Sequence, residues 1–410
     1  MPEYRRWALA LYACSLNLES LVPESALGSF SLAKGTGFLY LLSLFPDYGT
    51  YLLGRAEAYF WTPLLLFVAL FVGSNLANAG SSSVSVLPGV LLLNIAVFVL
   101  VLNHLSLDKR AFQWALRGFV LGALIVSVLM VVGVGTSLNA DMRLSVFGAN
   151  ENEMGMKLAS ALAIVGASLA GVGGRMRIHP IAAVGFSGLL LWALVLTGSR
   201  SALVVLIAGL LVLGLPRSST HNRGGLDGSR RQILISLLLL ASTLVVVLQS
   251  GTLLERLAEI ATDGDAGGRL ALWVLVLPVI ADNWLLGIGA TGFSAWSQDL
   301  FGATINPHNV LLEVAIYVGA LGLLVFGVFL WRVGRAAWEK WSYHGDAVGM
   351  VLLSSVAVLL AGNQLLGVKT GWLFLALAAG SHHAQVPQAT STHNQTNQLR
   401  TNINTRQPNG

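Results

Sequence analysis

Long apolar runs, separated by short polar breaks, dominate the pattern along the chain. A helix needs roughly 20 apolar residues to cross the hydrocarbon core of a bilayer, which is about 30 Å thick. Counted in this way, the runs predict twelve membrane-spanning helices, near residues 7–22, 27–45, 58–77, 84–103, 113–135, 153–172, 180–198, 200–215, 232–250, 309–331, 347–366 and 369–385. The sequence therefore predicts an all-α, polytopic membrane protein with about 12 transmembrane helices.

One long polar connection, at about residues 251–308, interrupts this pattern between the ninth and tenth runs. Residues 252–261 carry apolar side chains at helical spacing, which predicts an amphipathic helix. Residues 269–286 are almost apolar enough to span, but a thirteenth span would move the basic residues after the tenth run to the outside. We therefore predict one large loop that contains short amphipathic or re-entrant helices.

Composition and charge agree with this topology. Apolar residues make up 55% of the 410 and charged residues only 10%, which is far from the composition of soluble domains. The net charge of +5 could suggest nucleic-acid binding. However, most Lys and Arg residues fall on the cytoplasmic side if both termini are cytoplasmic, so the positive-inside bias explains them.

The domain organisation follows from the same pattern. The first run follows Arg5 and Arg6 and has no small-residue cleavage site, so we expect it to be an anchor. Residues 1–384 are predicted to form a single transmembrane helical domain that includes the 251–308 loop. Residues 385–410 are polar and rich in Asn, Thr and Gln, which predicts a disordered cytoplasmic tail.

Three residues with chemistry suited to phosphate-dependent transfer fall on the outer side, namely Arg200, Arg269 and His308. Guanidinium groups bind phosphate oxygens through paired hydrogen bonds and stay charged at physiological pH. Histidine titrates near neutrality and can accept a proton from a hydroxyl, which typically contributes about 10²- to 10⁴-fold in rate. Simpler interpretations stay open: Arg200 could snorkel to the interface, and His308 could be an ordinary helix-start residue.

The connection at 137–153 is a second polar cluster, at the mouth of the sixth run. It contains Arg143 and the segment from Asn150 to Glu153, which includes Asn152. Acidic and amide residues at a helix start often cap the helix. Capping and contact with a substrate are therefore both open for this segment.

Two further acidic features have weaker links to chemistry. Asp263 and Asp265 resemble a metal-binding pair, but they lie in a glycine-rich stretch that favours a solvated turn, and we predict no metal site. Glu313 lies one turn into the tenth run and must be satisfied inside the bundle. Its five-residue offset from His308 turns it about 140° away on a helix, which argues against a direct His–Glu pair.

Four sequence motifs lie within roughly residues 140–330. They are Asn150 to Glu153, Leu196-Thr197-Gly198-Ser199-Arg200-Ser201, Gly268-Arg269 with Trp273, Gly287-Ile288-Gly289 and Phe293, and His308-Asn309 followed by Gly319-Ala320-Leu321-Gly322-Leu323. Taken together and in order, these motifs resemble the bacterial O-antigen ligase and polymerase family.

The resemblance implies a glycosyltransferase of the bacterial inner membrane. It implies transfer of a glycan from an undecaprenyl diphosphate carrier, at the periplasmic face, without nucleotide, metal or another cofactor. It also implies that His308 is the general base and that Arg200 and Arg269 bind the diphosphate. Asn309, Arg143 and Asn152 are predicted to bind substrate as well.

Two alternatives stay open beside the ligase, which uses a lipid A-core acceptor. The single large periplasmic loop and the twelve-span layout favour the ligase over a polymerase of carrier-linked repeat units. The loop carries two basic and six acidic residues, however, and a phosphorylated core would prefer a more basic surface. A transporter of the same lipid-linked sugar is the alternative from another class, although we find no inverted repeat of the kind expected there.

Overall fold

Helices account for nearly all of the described chain. The computed structural model describes residues 2–21, 31–52, 58–78, 87–139, 142–172, 176, 178–215, 225–251, 253–255, 269–362 and 364–380. Within them the helices are α1 (Glu3–Ser15), α2 (Leu32–Leu44), α3 (Tyr48–Leu52), α4 (Ala58–Ala77), α5 (Leu87–Leu107), α6 (Ala111–Val132), α7 (Glu151–Leu169), α8 (Pro180–Leu196), α9 (Arg200–Gly214), α10 (Gly225–Leu248), α11 (Arg269–Asp282), α12 (Gly289–Phe301), α13 (Val310–His344), α14 (Val348–Gly362) and α15 (Lys369–Gly380). Two short 3₁₀ segments, Glu19–Leu21 and Phe45–Asp47, accompany them. The predicted helical architecture is confirmed, with one small exception.

That exception is a two-stranded ribbon in the connection before α7. Strands β1 (Thr136–Leu138) and β2 (Leu144–Val146) pair antiparallel, with Ser137 opposite Ser145. The two hydroxyl oxygens of this pair lie 2.9 Å apart. Strands of three residues are too short for an alternating pattern to be recognised in the sequence, so the ribbon was not predicted.

Each of the twelve predicted runs corresponds to a described helix. By length and composition, five helices in the described part of the chain can cross a membrane, and they lie in α4, α5, α6, α10 and α13. Helices α8, α9 and α14 are apolar but shorter. The chain is therefore a multi-pass helical membrane protein in outline, whereas the count of about 12 crossings and the side of each loop stay predictions.

Several predictions concern parts outside the described residues. These are most of the amphipathic segment 252–261, the pair Asp263 and Asp265, and the tail at 385–410.

Helix α13 is longer than the predicted run at 309–331 and continues to His344. Its last turns are amphipathic, and counting unbroken apolar residues does not detect such a continuation.

Two kinds of contact hold these helices together. Large aromatic residues pack between α13 and α4, and small residues pack between α7, α9 and α14. Helix α13 packs on α4, where the rings of Phe67 and Phe326 lie 5.0 Å apart. Helices α7, α9 and α14 meet closely, since a Cβ added at Gly209 would lie 3.1 Å from the Ala163 Cβ and 3.6 Å from the Ser354 Oγ. Small residues allow this close approach of helices in membranes.

These contacts define which helix ends lie together. Helices α7 and α9 start together, because a Cβ at Gly155 would meet Ala202. Helix α14 runs in the opposite direction, because Leu359 near its end lines a small pocket with Glu153 near the start of α7. Helix α13 is antiparallel to α14, to which the short connection 345–347 joins it. The starts of α7, α9 and α13 therefore lie with the end of α14, and we call this the site end of the bundle.

Helices α11 and α12 form a hairpin beside α13. Helix α11 begins at the site end, and the turn between α11 and α12 lies against the middle of α13. At its tip it meets a break in α13, where Gly319 has φ 69° and ψ −164°. The Ala320 N–H donates to the Trp284 carbonyl at 2.7 Å, and the Ile288 N–H donates to the Ile316 carbonyl at 2.8 Å. The break lies nine residues after Val310, roughly 14 Å along the helix axis. This is the geometry of a re-entrant element, whose position in a membrane stays a prediction.

Candidate functional site

The turn before α13 holds His308 in an unusual backbone conformation. Its φ is 51°, in the left-handed region that residues other than glycine seldom adopt. The Asn306 side-chain oxygen accepts the His308 N–H at 2.7 Å, which holds the turn. Asn309 then caps α13, because its side-chain oxygen accepts the N–H groups of Leu311 and Leu312 at 3.0 and 3.2 Å.

Arg269 reaches the same place from α11, of which it is the first residue. Its Nη1 donates to the Gly362 carbonyl at 2.8 Å, at the end of α14. The Asn309 Nδ2 donates to the Ala361 carbonyl at 3.5 Å. The last turn of α14 therefore brings Arg269 and Asn309 together, with His308 beside Asn309. A guanidinium carries five N–H donors, so Arg269 can bind Gly362 and still bind an anion.

Trp273 fixes α11 against this turn. Its Nε1 donates to the Pro307 carbonyl at 2.8 Å, one residue before His308. The indole lies one helical turn after Arg269, on the same face of α11. A single helix face thus contacts both the end of α14 and the histidine turn.

The electrostatic environment of His308 favours the neutral imidazole. The side chain is half-buried, and burial lowers its pKa below the ordinary value of 6.5, with a further lowering by the positive charge of Arg269. A neutral imidazole has a free lone pair and can accept a proton. At neutral pH the turn therefore carries a base next to a fixed cation.

Glu313 and Asn306 form a support that the sequence did not indicate. The Asn306 Nδ2 donates to the Glu313 Oε1 at 2.6 Å, and Glu313 is buried. Glu313 therefore acts on His308 indirectly, through the amide that holds the His308 backbone. Asn306 precedes the helix that begins at Val310, so no helical spacing in the sequence indicates its contact with Glu313.

The second group of predicted residues lies at the start of α7 and α9. Arg143 is buried, and its Nε donates to the Thr197 carbonyl at 3.0 Å while its Nη2 donates to the Asn152 Oδ1 at 2.7 Å. A further ion pair joins its Nη1 to the Glu151 Oε2 at 3.6 Å. The Ser199 hydroxyl also donates to the Asn152 Oδ1, at 3.2 Å. Arg143 and Asn152 thus tie the 137–153 connection to the segment just before Arg200.

Arg200 is the first residue of α9 and is half-buried at the site end. Ser199 caps this helix by accepting the Ala202 N–H. Gly198 has φ 58°, and a Cβ there would lie 3.1 Å from the Arg143 Cγ. The glycine and the serine before Arg200 therefore let the buried Arg143 support the turn that carries it.

The two interpretations of Asn150 to Glu153 can now be compared. The Asn150 side-chain oxygen accepts the N–H groups of Asn152 and Glu153 at 3.0 and 3.1 Å. This is an N-cap, so Asn150 has the structural role. Asn152 contacts Arg143 and Ser199, and its predicted part in substrate binding stays a prediction.

We expect replacement of Arg143 by Ala to lower stability by about 3 kcal/mol, because breaking a buried ion pair and its hydrogen bonds leaves partners unsatisfied. Thermal unfolding of the purified variant in detergent measures this. Arg335→Ala is the matched control, since Arg335 pairs with Glu339 on the exposed side of α13, and its melting temperature should stay near that of the wild type. An Arg143→Ala protein that melts like the wild type but binds donor weakly would instead make Arg143 a direct substrate ligand.

The apolar helices and the polar turn at the site end define the class: a multi-pass helical membrane protein with basic and titratable groups gathered at one end. Residues 185–327 match a family model described as O-antigen ligase. The match confirms the resemblance found in the motifs for this region of the chain. It includes Arg200, Arg269, His308 and the Gly319 break. The chain has no significant match among curated proteins.

Proposed function

We propose that the protein is an O-antigen ligase, which transfers O-antigen polysaccharide from undecaprenyl diphosphate to the lipid A-core oligosaccharide. The family of residues 185–327 supports a membrane glycosyltransferase that uses lipid-linked glycans. Under this proposal the site end faces the periplasm, both termini are cytoplasmic, and the protein lies in the bacterial inner membrane. No metal is needed for the reaction.

The proposed chemistry is a direct displacement at the anomeric carbon. His308 accepts the proton of an acceptor hydroxyl, and the oxygen forms the new glycosidic bond as the bond from carbon to the carrier diphosphate breaks. Arg200 and Arg269 neutralise the charge that grows on the leaving diphosphate, which is where fixed charges contribute most to rate. Asn309 would bind the sugar or diphosphate through its amide.

One observation carries the proposal: Arg269 and a half-buried His308 with a lowered pKa lie together at the site end. A base that is neutral at physiological pH beside a permanent cation suits proton removal next to an anionic leaving group. Arg143 and Asn152 are the less direct part of the proposal. Their contacts favour positioning of the Arg200 turn over direct contact with the substrate.

We expect transfer to fall at acidic pH with a midpoint below 6.5, because only the neutral form of His308 accepts a proton and its pKa is lowered by burial and by Arg269. In Arg269→Gln the cation is lost, so the pKa of His308 should rise and the midpoint should move to higher pH. Profiles of kcat against pH measure both midpoints, whatever the absolute rates. Arg335→Gln, at an exposed cation far along α13, should leave the midpoint unchanged. A midpoint that stays unchanged in Arg269→Gln would mean that the charge of Arg269 does not act on the titrating group.

Transfer by the purified full chain in detergent tests the function itself. The donor is an undecaprenyl diphosphate-linked glycan, offered with lipid A-core or with no other acceptor, and chelator is present in both. We expect new product on the lipid A-core alone. Longer carrier-linked chains without added core would establish a polymerase, which the acidic balance of the 251–308 loop favours as the second candidate. No new glycosidic bond in either reaction would favour a transporter.

A further inference from the structure

Helix α7 carries a buried lysine close to its polar start at the site end. The Lys157 ammonium pairs with the Glu153 carboxylate of the preceding turn at 2.7 Å and donates to the Leu16 carbonyl, just after α1, at 2.8 Å. Lys157 is only 9% exposed. Moving charges out of water is costly, and apolar residues in place of a buried ion pair are often at least as stable. A buried lysine in a membrane protein is therefore a candidate for a functional role.

A second ion pair lies next to the first. Lys369, the first residue of α15, pairs with Glu19, and its ammonium also acts on the Glu153 carboxylate. Together with Lys157, these described side chains provide two ammonium and two carboxylate groups, so their charges cancel. The cluster therefore has no net charge with which to attract an anionic ligand. It is suited instead to fixing the positions of the starts of α7 and α15 relative to the end of α1.

The opposite side of α7 packs against the turn that begins α9. A Cβ at Gly155 would lie 2.8 Å from both the Ser199 Cβ and the Thr197 Oγ1, so helix and turn are in close contact. At 3.6 residues per turn, Gly155 lies on the side of α7 opposite Glu153 and Lys157. One side of α7 is therefore held by the ion pairs, while the other side contacts the turn.

We propose that Lys157 is a positioning residue: paired with Glu153, it holds the start of α7 so that Arg200 lies where it binds the diphosphate. This inference rests on the proposed function, in which Arg200 binds the leaving diphosphate. A guanidinium binds phosphate oxygens through hydrogen bonds of defined geometry, so a shift of the turn weakens binding. Arg269 depends instead on its hydrogen bond to Gly362 at the end of α14. The effect of Lys157 should therefore be specific to Arg200.

Binding of undecaprenyl diphosphate to the purified full chain in detergent tests the proposal. Lys157→Met keeps an unbranched side chain but removes the charge. We expect the dissociation constant to rise about tenfold, comparable to the loss of one hydrogen bond to a charged group. Lys340→Met is the matched control, because Lys340 is also buried in an ion pair, with Asp346 at 2.8 Å, at the other end of the bundle. It should lower stability and leave the affinity unchanged.

Double variants separate positioning from stability. Lys157→Met combined with Glu153→Gln removes both charges of the pair, so the melting temperature should recover relative to Lys157→Met while the affinity stays low. In an Arg200→Gln background, Lys157→Met should change the dissociation constant by less than about twofold, because the residue through which it acts is already lost. In an Arg269→Gln background the full effect of about tenfold should persist.

Amide hydrogen exchange gives a second measurement that does not depend on the reaction. The turn at residues 197–202 should exchange faster in Lys157→Met than in the wild type, because the helix that holds it is displaced. Lys340→Met should leave exchange in this turn unchanged. Normal diphosphate affinity in Arg200→Gln would contradict the proposed function, and in that case exchange at residues 197–202 alone decides whether Lys157 positions the turn.

Three results overturn the proposal. The first is unchanged affinity together with unchanged exchange at residues 197–202 in a folded Lys157→Met protein. The second is affinity that recovers together with the melting temperature when Glu153→Gln is added, since Lys157 would then act through stability alone. The third is a full tenfold loss in the Arg200→Gln background, since Lys157 would then act without Arg200. If Lys157→Met does not fold by circular dichroism, the variant that also carries Glu153→Gln decides by the same measurements.

Discussion

Replacement of His308 by Asn is expected to lower the rate of glycan transfer by about 10²- to 10⁴-fold, the usual contribution of a general base. Asn is the informative substitution because His308 has φ 51°, and Asn tolerates the left-handed region better than most residues. The variant therefore keeps the turn and its hydrogen bond to Asn306 while it removes the proton acceptor. Transfer is measured with the purified variant, the lipid-linked donor and the lipid A-core acceptor.

His344→Asn provides the matched control. His344 is an exposed histidine at the other end of α13, so its loss should leave transfer unchanged. Binding of the donor should be nearly unaffected in His308→Asn, because the proposed diphosphate ligands are the arginines. Normal transfer by a folded His308→Asn protein would show that His308 is not the general base. Lost donor binding would show that His308 is a substrate ligand.

Much of the fold could be predicted because a bilayer imposes a simple rule on the sequence. Every backbone polar group must be satisfied within an apolar layer, so a long apolar run implies a helix. The helices agree with the predicted runs for this reason. The amphipathic extension of α13 beyond residue 331 was missed, since buried Val333 and Ala337 alternate there with exposed Trp331 and Trp338 and no unbroken run exists.

The site could be predicted only in part. Arg269 and His308 carry recognisable chemistry next to helix starts, and the structure brings them together at the end of α14. The link between Arg143 and Thr197 joins residues 54 apart in sequence, and no local pattern indicates such a pair. The support of His308 by Asn306 and Glu313 was missed because the helical-angle argument considered only a direct His–Glu contact.

The break at Gly319 explains how the hairpin is held, and its loss gives the second large expected effect. Gly319→Ala should destabilise the protein by more than about 3 kcal/mol, from backbone strain and overpacking together. Gly319 has φ 69° and ψ −164°, a region essentially limited to glycine. An added Cβ would also lie 2.4 Å from the Leu285 carbonyl carbon, and this backbone atom cannot move aside as a flexible side chain would. Thermal unfolding in detergent measures the loss.

Gly327→Ala is the control on the same helix, since a Cβ there would meet nothing within 4 Å, and Ala should if anything favour the helix. The effect of Gly319→Ala should reach the site as well as the fold. The interrupted backbone of α13 is satisfied by Trp284 and Ile288 at the hairpin tip, and the same hairpin carries Arg269 at its other end. Loss of this fit should displace α11 and lower transfer more than the folded fraction alone accounts for. A Gly319→Ala protein with wild-type stability and transfer would mean that the break in α13 does not hold the hairpin in place.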